Sequence, residues 1–142
     1  MVDSAKKNSC EVKLAVPFYD LDPLHMVWHG NYLKYFDIAR SELFAGSGLD
    51  LFDYFKKTNF LFPITKTSTK HIVSLRYRDE FICQATCIEA QYKIVIDFKI
   101  RLVKNNQICA KGRSEQVAVK YPEMEIMFEI PPDIRKALGF LE

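Results

Sequence analysis

The amino-acid sequence predicts an α+β domain in which one long buried helix packs against an antiparallel sheet of about five strands. One stretch, residues 31–45, has apolar side chains at helical spacing and contains neither Pro nor Gly. Most of the chain after residue 63 instead alternates apolar and polar residues, which is typical of strands. The length of 142 residues suits one domain. We place this domain at residues 10–142 and predict that residues 1–9 are a flexible N-terminal segment.

The long helix is predicted to begin at Asn31. Apolar residues recur at three- and four-residue spacings, as at Tyr32, Tyr35 and Ala39. The apolar stripe is wide, so we expect the helix to be buried over most of its circumference. Gly46 follows and favours its end. A short second helix is predicted over 51–57.

The clearest strand is predicted at 93–103, where apolar residues at even positions alternate with mostly charged residues. Asn105-Asn106 predicts a hairpin turn into a returning strand over 108–121. Further strands are predicted at 10–18, about 63–76 and 81–89, and a short C-terminal helix at 133–138. Sequential hairpins imply an antiparallel sheet. One helix cannot cover such a sheet, so we expect a second subunit to bury the remaining edge or face.

Charge and composition exclude several classes of protein. The net charge of +2 argues against a dedicated nucleic-acid binder. No apolar run reaches the roughly 18 residues of a membrane span, and no secretory signal is visible, so we expect a cytoplasmic location. Residues 56–121 carry 13 basic and 5 acidic side chains, which indicates an anionic ligand of modest size. The four cysteines form no CxxC pair, and we expect buried free thiols.

The residues before the long helix carry the chemistry. Asp20, Asp22, His25, His29 and the single tryptophan, Trp28, lie in the ten residues before Gly30. A helix start offers unpaired backbone N–H groups, which can stabilise a developing oxyanion. A carboxylate delivered to the same point can act as a nucleophile or as a general base. The parts needed for acyl transfer are therefore present within a dozen residues.

Three short motifs, Asp20-Leu21-Asp22-Pro23, Val27-Trp28-His29 and Asn31-Tyr32, resemble those of the hotdog-fold acyl-CoA thioesterases. The resemblance is to the 4-hydroxybenzoyl-CoA thioesterase and YbgC-like group, and the order of elements matches over about residues 10–138. It implies a hotdog fold, with the sheet wrapped around one long central helix. It also implies hydrolysis of an acyl- or aryl-CoA thioester without a cofactor or metal, in a homo-oligomer that is a dimer or a tetramer.

By this resemblance, Asp22 is the catalytic carboxylate, which attacks the thioester carbonyl or activates a water molecule. The backbone N–H of His29 polarises that carbonyl, and the His29 side chain assists. Asp20 is expected to be a structural hydrogen-bond acceptor. His25 stands where the family usually has Gly, so a positive φ there would be tolerated only at some cost.

The same resemblance implies contacts with the rest of an acyl-CoA. Trp28 is expected to pack beside the acyl pocket and Tyr32 to contact the substrate. The candidate residues for the CoA phosphates are Lys66, Lys70, Arg76 and Arg78, and a second candidate patch comprises Arg101, Lys104, Lys111 and Arg113. Asp37 and Arg40 are expected to pair on the helix surface. Metal binding by His25 and His29, with an aspartate as third ligand, is the weaker alternative.

Other functions of the same fold stay open from the sequence. A hydratase, or a module that binds acyl-CoA or acyl carrier protein without turnover, would share the architecture. A role in a protein complex is a third alternative, because the C-terminal stretch is acidic. The reaction product separates the first three: free thiol for hydrolysis, loss of enoyl absorbance for hydration, and neither for a binding module. The acyl carrier protein thioester also remains an alternative substrate.

Overall fold

A computed structural model describes residues 8–142. The strands are Ser9–Ala15 (β1), Phe60–Leu61 (β2), Ile64–His71 (β3), Glu80–Glu89 (β4), Ile94–Leu102 (β5), Ile108–Gln116 (β6), Val119–Lys120 (β7) and Glu125–Ile126 (β8). The helices are Asn31–Gly46 (α1), Leu51–Thr58 (α2) and Pro132–Ala137 (α3). Of the N-terminal segment predicted to be flexible, residues 1–7 lie outside the described part, and Ser9 already belongs to β1.

The main sheet is antiparallel, with the strand order β1-β4-β5-β6-β3, and α1 packs on one of its faces. This confirms the predicted α+β class and the five-stranded sheet. The prediction that consecutive strands form hairpins is wrong for β3 and β4, because β3 lies at the far edge of the sheet and pairs with β6. In the described part of the chain, β3 therefore has one paired edge and one open edge.

The Phe36 ring of helix α1 packs directly against Gly112 on β6. A Cβ atom at this position would lie 2.4 Å from the Phe36 ring, which stacks on Phe98 with ring centroids 4.5 Å apart. Only glycine leaves space for the ring, and this contact fixes the middle of the helix over the centre of the sheet. The apolar stripe of α1 is buried against the sheet, but eight of the sixteen residues of the helix, including Leu33 and Ile38, are exposed in the single chain. The expectation that most of its circumference is buried is therefore wrong for one chain.

The period-two pattern of β4 places four small or aromatic side chains against the helix. Phe81, Cys83, Ala85 and Cys87 are fully buried, and their neighbours in sequence are partly or largely exposed. All four cysteines of the chain are free, and three of them are buried. Burial raises the pKa of Cys83 to about 12 and that of Cys87 to about 11, so these thiols stay protonated at neutral pH.

Two sequence predictions for the distal part of the fold are corrected. The strand expected over 108–121 ends at Gln116, and the chain then enters a small second sheet with the strand order β2-β7-β8. The pair between Asp37 and Arg40 is present, but Arg40 is only 8 % exposed. Its guanidinium also donates to Ser114 at 3.0 Å and lies over the Phe98 ring, so it is a buried group of the helix–sheet interface.

No helix among residues 8–142 has the length and hydropathy needed to cross a membrane.

Candidate active site

The loop between β1 and α1 is built around Asp22. Its backbone N–H donates to the Met26 carbonyl at 2.8 Å, and its carbonyl accepts from the His25 N–H at 2.9 Å. Its carboxylate Oδ1 accepts from the Leu24 N–H at 2.8 Å. Oδ2 has no hydrogen bond within residues 8–142, and the side chain is half-buried. One oxygen therefore holds the turn, and the other is available to a substrate.

His25 lies at the sharpest point of this turn, with a φ of +64°. By the resemblance described above, His25 stands where the family usually has Gly, a residue that tolerates such a φ without strain. A non-glycine residue in the left-handed region costs about 1 kcal/mol or more. The hydrogen bonds around Asp22 hold His25 there, so the turn keeps its shape without the glycine.

Asp20 fastens the loop to the helix. Its side chain is 2 % exposed and accepts from the Lys34 ammonium at 2.5 Å and from the Tyr35 hydroxyl at 2.6 Å. Its backbone carbonyl accepts from the Trp28 N–H at 3.0 Å and from the Asn31 side chain at 2.9 Å. Burial and the bond to Asp20 raise the pKa of Tyr35, so its hydroxyl stays a donor. The prediction that Asp20 is a structural acceptor is confirmed.

The start of α1 leaves a donor open beside the loop. Gly30 is the N-cap residue and no side chain caps the helix. The Trp28 ring covers Gly30, where a Cβ atom would lie 2.3 Å from the indole. The backbone N–H of His29 has no acceptor in the described part of the chain. This N–H group is therefore free to bind a carbonyl oxygen.

Asp22, His29 and Tyr32 line one depression of about 310 Å³ at this end of the helix. His71, at the end of β3, lines the same depression, and its ring meets the Tyr32 ring edge-on with centroids 4.6 Å apart. The Tyr32 hydroxyl accepts from the Leu75 N–H at 3.2 Å, and burial raises the pKa of this hydroxyl. His71 carries no local signal in the sequence, because only the fold brings β3 to the start of α1.

The remaining predicted substrate contacts do not line this depression within a single chain. Trp28 is half-exposed and packs beside it, against His29 and over Gly30. Lys70 lines a depression on the outer face of the sheet, and Arg78 lines another near the β5–β6 turn. The residues from 8 to 142 contain no group of three side chains placed to hold a metal ion.

Comparison with known proteins identifies the family. The family model described as the thioesterase-like superfamily matches residues 16–138. The chain belongs to the thioesterase-like superfamily. The match covers the Asp22 loop, α1 and every strand of the main sheet except β1, and it confirms the predicted enzyme class, a thioester hydrolase. A protein from Synechocystis sp., "Putative esterase sll0410", is 26% identical over 136 residues, covering 90% of this chain and 77% of that protein.

Solved structures of thioesterases share the fold with this superfamily member. Slr0204 from Synechocystis, a 1,4-dihydroxy-2-naphthoyl-CoA thioesterase, superposes with a TM-score of 0.84 at 18% identity, covering 92% of this chain and 95% of that chain. The 4-hydroxybenzoyl-CoA thioesterase from Pseudomonas sp. strain CBS-3 superposes with a TM-score of 0.81 at 18% identity, covering 92% and 99%. These similarities confirm the predicted hotdog fold.

Proposed function

We propose that the protein hydrolyses an acyl- or aryl-CoA thioester in the depression at the start of α1, with Asp22 as the catalytic carboxylate. One observation carries the proposal: the unbonded Oδ2 of Asp22 and the open N–H of His29 belong to residues that line the same depression. A thioester carbonyl bound by that N–H becomes more electrophilic at carbon. The carboxylate is then close enough in the fold to act on it.

Two routes lead from this arrangement to the products. In the first, Asp22 Oδ2 attacks the carbonyl carbon, the C–S bond breaks, and water hydrolyses the resulting anhydride. In the second, Oδ2 takes a proton from water as the water attacks the carbonyl carbon, the C–S bond breaks, and the proton passes to the departing thiolate. Each route consumes one water and releases a carboxylic acid and the CoA thiol. Neither requires a metal or an organic cofactor, because the thioester is already activated.

Other side chains around the depression are proposed to contact the acyl group and the CoA part of the substrate. Tyr32 has no acceptor for its hydroxyl proton within the described residues and is proposed as a donor to the substrate, with Trp28 beside the acyl group. Arg76 forms a β-bridge with Met26 in the Asp22 loop, and Arg78 is exposed two residues further on. We propose both arginines, together with Lys66 and Lys70 on β3, as contacts for the CoA phosphates. An acyl carrier protein thioester would reach the same carboxylate.

We also propose that a second copy of the chain completes the site. Strand β3 has an open edge, and seven of its eight residues are exposed. An open edge of this length pairs readily with another strand. A twofold axis at the edge would make two β3 strands antiparallel neighbours, so that Ile64 of one copy lies near His71 of the other.

This pairing would join two depressions. Within one chain, the His71 end of β3 lies at the start of α1, whereas Ile64 lies beside the later part of the helix. There a second depression of about 590 Å³ is lined partly by Arg40, Ser41, Phe44 and Ile64. In the proposed dimer it would adjoin the depression that holds Asp22 of the partner subunit. Its mixed apolar and polar wall is then proposed to receive the acyl group.

The first experiment measures free-thiol release from short, medium and long acyl-CoAs and from benzoyl-type CoAs. Asp22→Asn is the variant of choice, because an amide keeps the Oδ1 acceptor that holds the turn. We expect wild type to release thiol from part of the panel, and Asp22→Asn to lose several orders of magnitude in turnover.

The matched control is Asp53→Asn, which neutralises an exposed carboxylate in the first turn of α2 and should leave turnover unchanged. Near wild-type turnover in Asp22→Asn would contradict the assignment of the carboxylate. Absence of thiol release by wild type would favour a hydratase or a binding module.

We further propose that residues 10–142 form a single catalytic domain. We also propose a cytoplasmic location, since free thiols suit a reducing compartment.

A further inference from the structure

Three lysines form a row across the outer face of the sheet, on the side away from α1. Lys70 on β3 lies directly opposite Lys111 on β6, and Lys111 lies directly opposite Lys99 on β5. All three are exposed. Side chains directly opposite each other on neighbouring strands have Cβ atoms about 4.5–5.5 Å apart. The three ammonium groups therefore crowd one strip of surface.

The three lysines of the row have no acidic partner among the described residues, although the basic side chains around them do. Arg113 binds both carboxylate oxygens of Asp97, at 2.6 and 3.1 Å. Lys93 pairs with Glu115 at 2.9 Å, and Arg101 pairs with Glu11 at 3.1 Å. None of the three lysines in the row has an ion pair or a hydrogen bond within residues 8–142.

Like charges directly opposite on neighbouring strands destabilise a sheet. This row places two such pairs side by side, so it lowers the stability of the free protein. A bound anion would reverse the sign of the effect, because each ammonium group would then have a partner. The folded protein should therefore be more stable with an anion bound to the row than without one.

The surface between the lysines is concave and rich in donors. A depression of about 630 Å³ is lined by the three lysines, by Arg113, and by polar side chains from two strands, namely Ser68 and Thr69 on β3 and Gln84 and Thr86 on β4. Asp97, its one acidic residue, is already occupied by Arg113. Lys70 and Lys99 are separated by two strand spacings, about 9.5 Å. An anion of linked phosphates offers each lysine along this distance its own phosphate group.

We propose that this outer depression binds an anion with two or three linked phosphate groups. Lysine ammonium groups bind phosphate as point charges, and a chain of phosphates can follow the row from strand to strand. The anion has two chemical sources, a free polyphosphate and the diphosphate of a nucleotide such as that of CoA. The site lies on the opposite face of the sheet from the Asp22 depression, and its existence does not depend on the proposed hydrolysis.

The test is calorimetric titration of the full chain with sodium tripolyphosphate at constant ionic strength. We expect wild type to bind it, and Lys111→Gln, which removes the central charge, to bind about tenfold more weakly or worse. Lys57→Gln is the matched control, since Lys57 is exposed in the last turn of α2 and lies outside the row. Lys99→Gln provides a second variant within the row.

A thermal melt adds a readout that an ordinary surface lysine would not give. Without anion, Lys111→Gln should melt about 1–4 °C higher than wild type, because two repulsive pairs are removed. With tripolyphosphate, the order should reverse. Equal affinity in wild type and Lys111→Gln, or equal stabilisation of wild type by sodium sulfate at matched ionic strength, would overturn the proposal.

Enzyme kinetics distinguishes the two possible sources of the anion, CoA and a free polyphosphate. This kinetic experiment is the one part of the test that rests on the proposed function. If CoA is the ligand, Lys111→Gln should raise KM for an acyl-CoA with little change in kcat, and CoA should compete with tripolyphosphate. If a free polyphosphate is the ligand, KM should be unchanged and CoA should not compete. Both results support the site, and loss of hydrolysis in wild type would leave the titration result intact.

Discussion

At the scale of single residues, Asp20 and Asp22 divide the work of one short loop. Asp22 presents an open oxygen to the depression. Asp20 is buried and holds two donors from α1, the Lys34 ammonium and the Tyr35 hydroxyl. Hydrogen bonds to a charged group each contribute about 1.5–3 kcal/mol, more than neutral ones. The position of Asp22, the proposed catalytic carboxylate, therefore depends on Asp20.

We expect Asp20→Asn to lower the free energy of unfolding by about 1.5–3 kcal/mol, because the amide cannot satisfy both donors with full charge. Since the loop loses its attachment, kcat for thiol release should also decrease. Urea unfolding and thiol release measure the two effects. Asp97→Asn is the control, because its pair with Arg113 is exposed and should cost less than about 1 kcal/mol. Equal losses in both variants would contradict the role given to Asp20.

The sequence predicted the part of the site that lies in one continuous segment. Asp22, His29 and Tyr32 are within eleven residues, and the structure brings them to one depression. His71 was missed, because it reaches the site from a strand about 40 residues later. The buried environment of Arg40 was missed for a related reason. Its partners Phe98 and Ser114 lie on β5 and β6.

At the scale of elements, the predictions are accurate for helices and strands in which apolar residues recur at regular spacing. Helix α1 begins at Asn31 as predicted and extends one residue past the predicted end, and β5 lies within one residue of the predicted bounds. Local pattern does not encode which strands are neighbours. Consecutive strands are adjacent only about two-thirds of the time, and β3 is an exception. Its many polar residues suit an exposed edge rather than a place beside β4.

The two buried thiols of β4 should make the folded protein less stable at alkaline pH. The pKa of Cys83 is about 12 and that of Cys87 about 11 in the folded protein, against an ordinary value of 9.0. Above pH 9 the unfolded chain loses these protons while the folded chain keeps them. We therefore expect the free energy of unfolding to decrease as the pH rises from about 9 toward 12. Urea unfolding across this range measures the decrease.

The variant Cys83→Ala separates the thiol from other alkaline groups. It should be less stable than wild type at pH 7, because it leaves a cavity. Its stability should nevertheless decrease less steeply above pH 9, because one titrating thiol is gone. A slope identical to that of wild type would show that burial of Cys83 does not govern the alkaline transition.

At the scale of the whole molecule, the position of the site at the open sheet edge explains why one chain looks incomplete. The depression that holds Asp22 is the smaller of the two in a single chain, whereas the carboxylates that line the larger one are already engaged: Asp37 pairs with Arg40, and Asp50 caps α2. In the proposed dimer, each chain would supply the carboxylate of one site and the acyl wall of the other.

Mixed dimers test this arrangement. Asp22→Asn removes the carboxylate, and Ser41→Trp fills the depression beside Arg40, so each variant alone should be nearly inactive. Co-expressed in equal amounts, they should recover about a quarter of wild-type activity, because half of the dimers are mixed and each mixed dimer has one intact site. Thiol release by the purified mixture measures the recovery.

A mixture of separately purified homodimers that do not exchange subunits provides the control and should stay inactive. If the two depressions served a site within one chain, every mixed dimer would carry one defect in each site. Activity would then not return on co-expression, and the shared site would be excluded.

The turn at Asp22 has a consequence for how the carboxylate meets its substrate. Because Oδ1 is bonded to the backbone within the turn, the side-chain torsions of Asp22 are fixed when the protein folds. Little rotational entropy remains to be lost at the moment of binding, and the reactive oxygen is already oriented. Glutamate carries the same charge, but its extra methylene would move the oxygen away from the Leu24 N–H. Aspartate is thus specified by preorganisation as much as by charge.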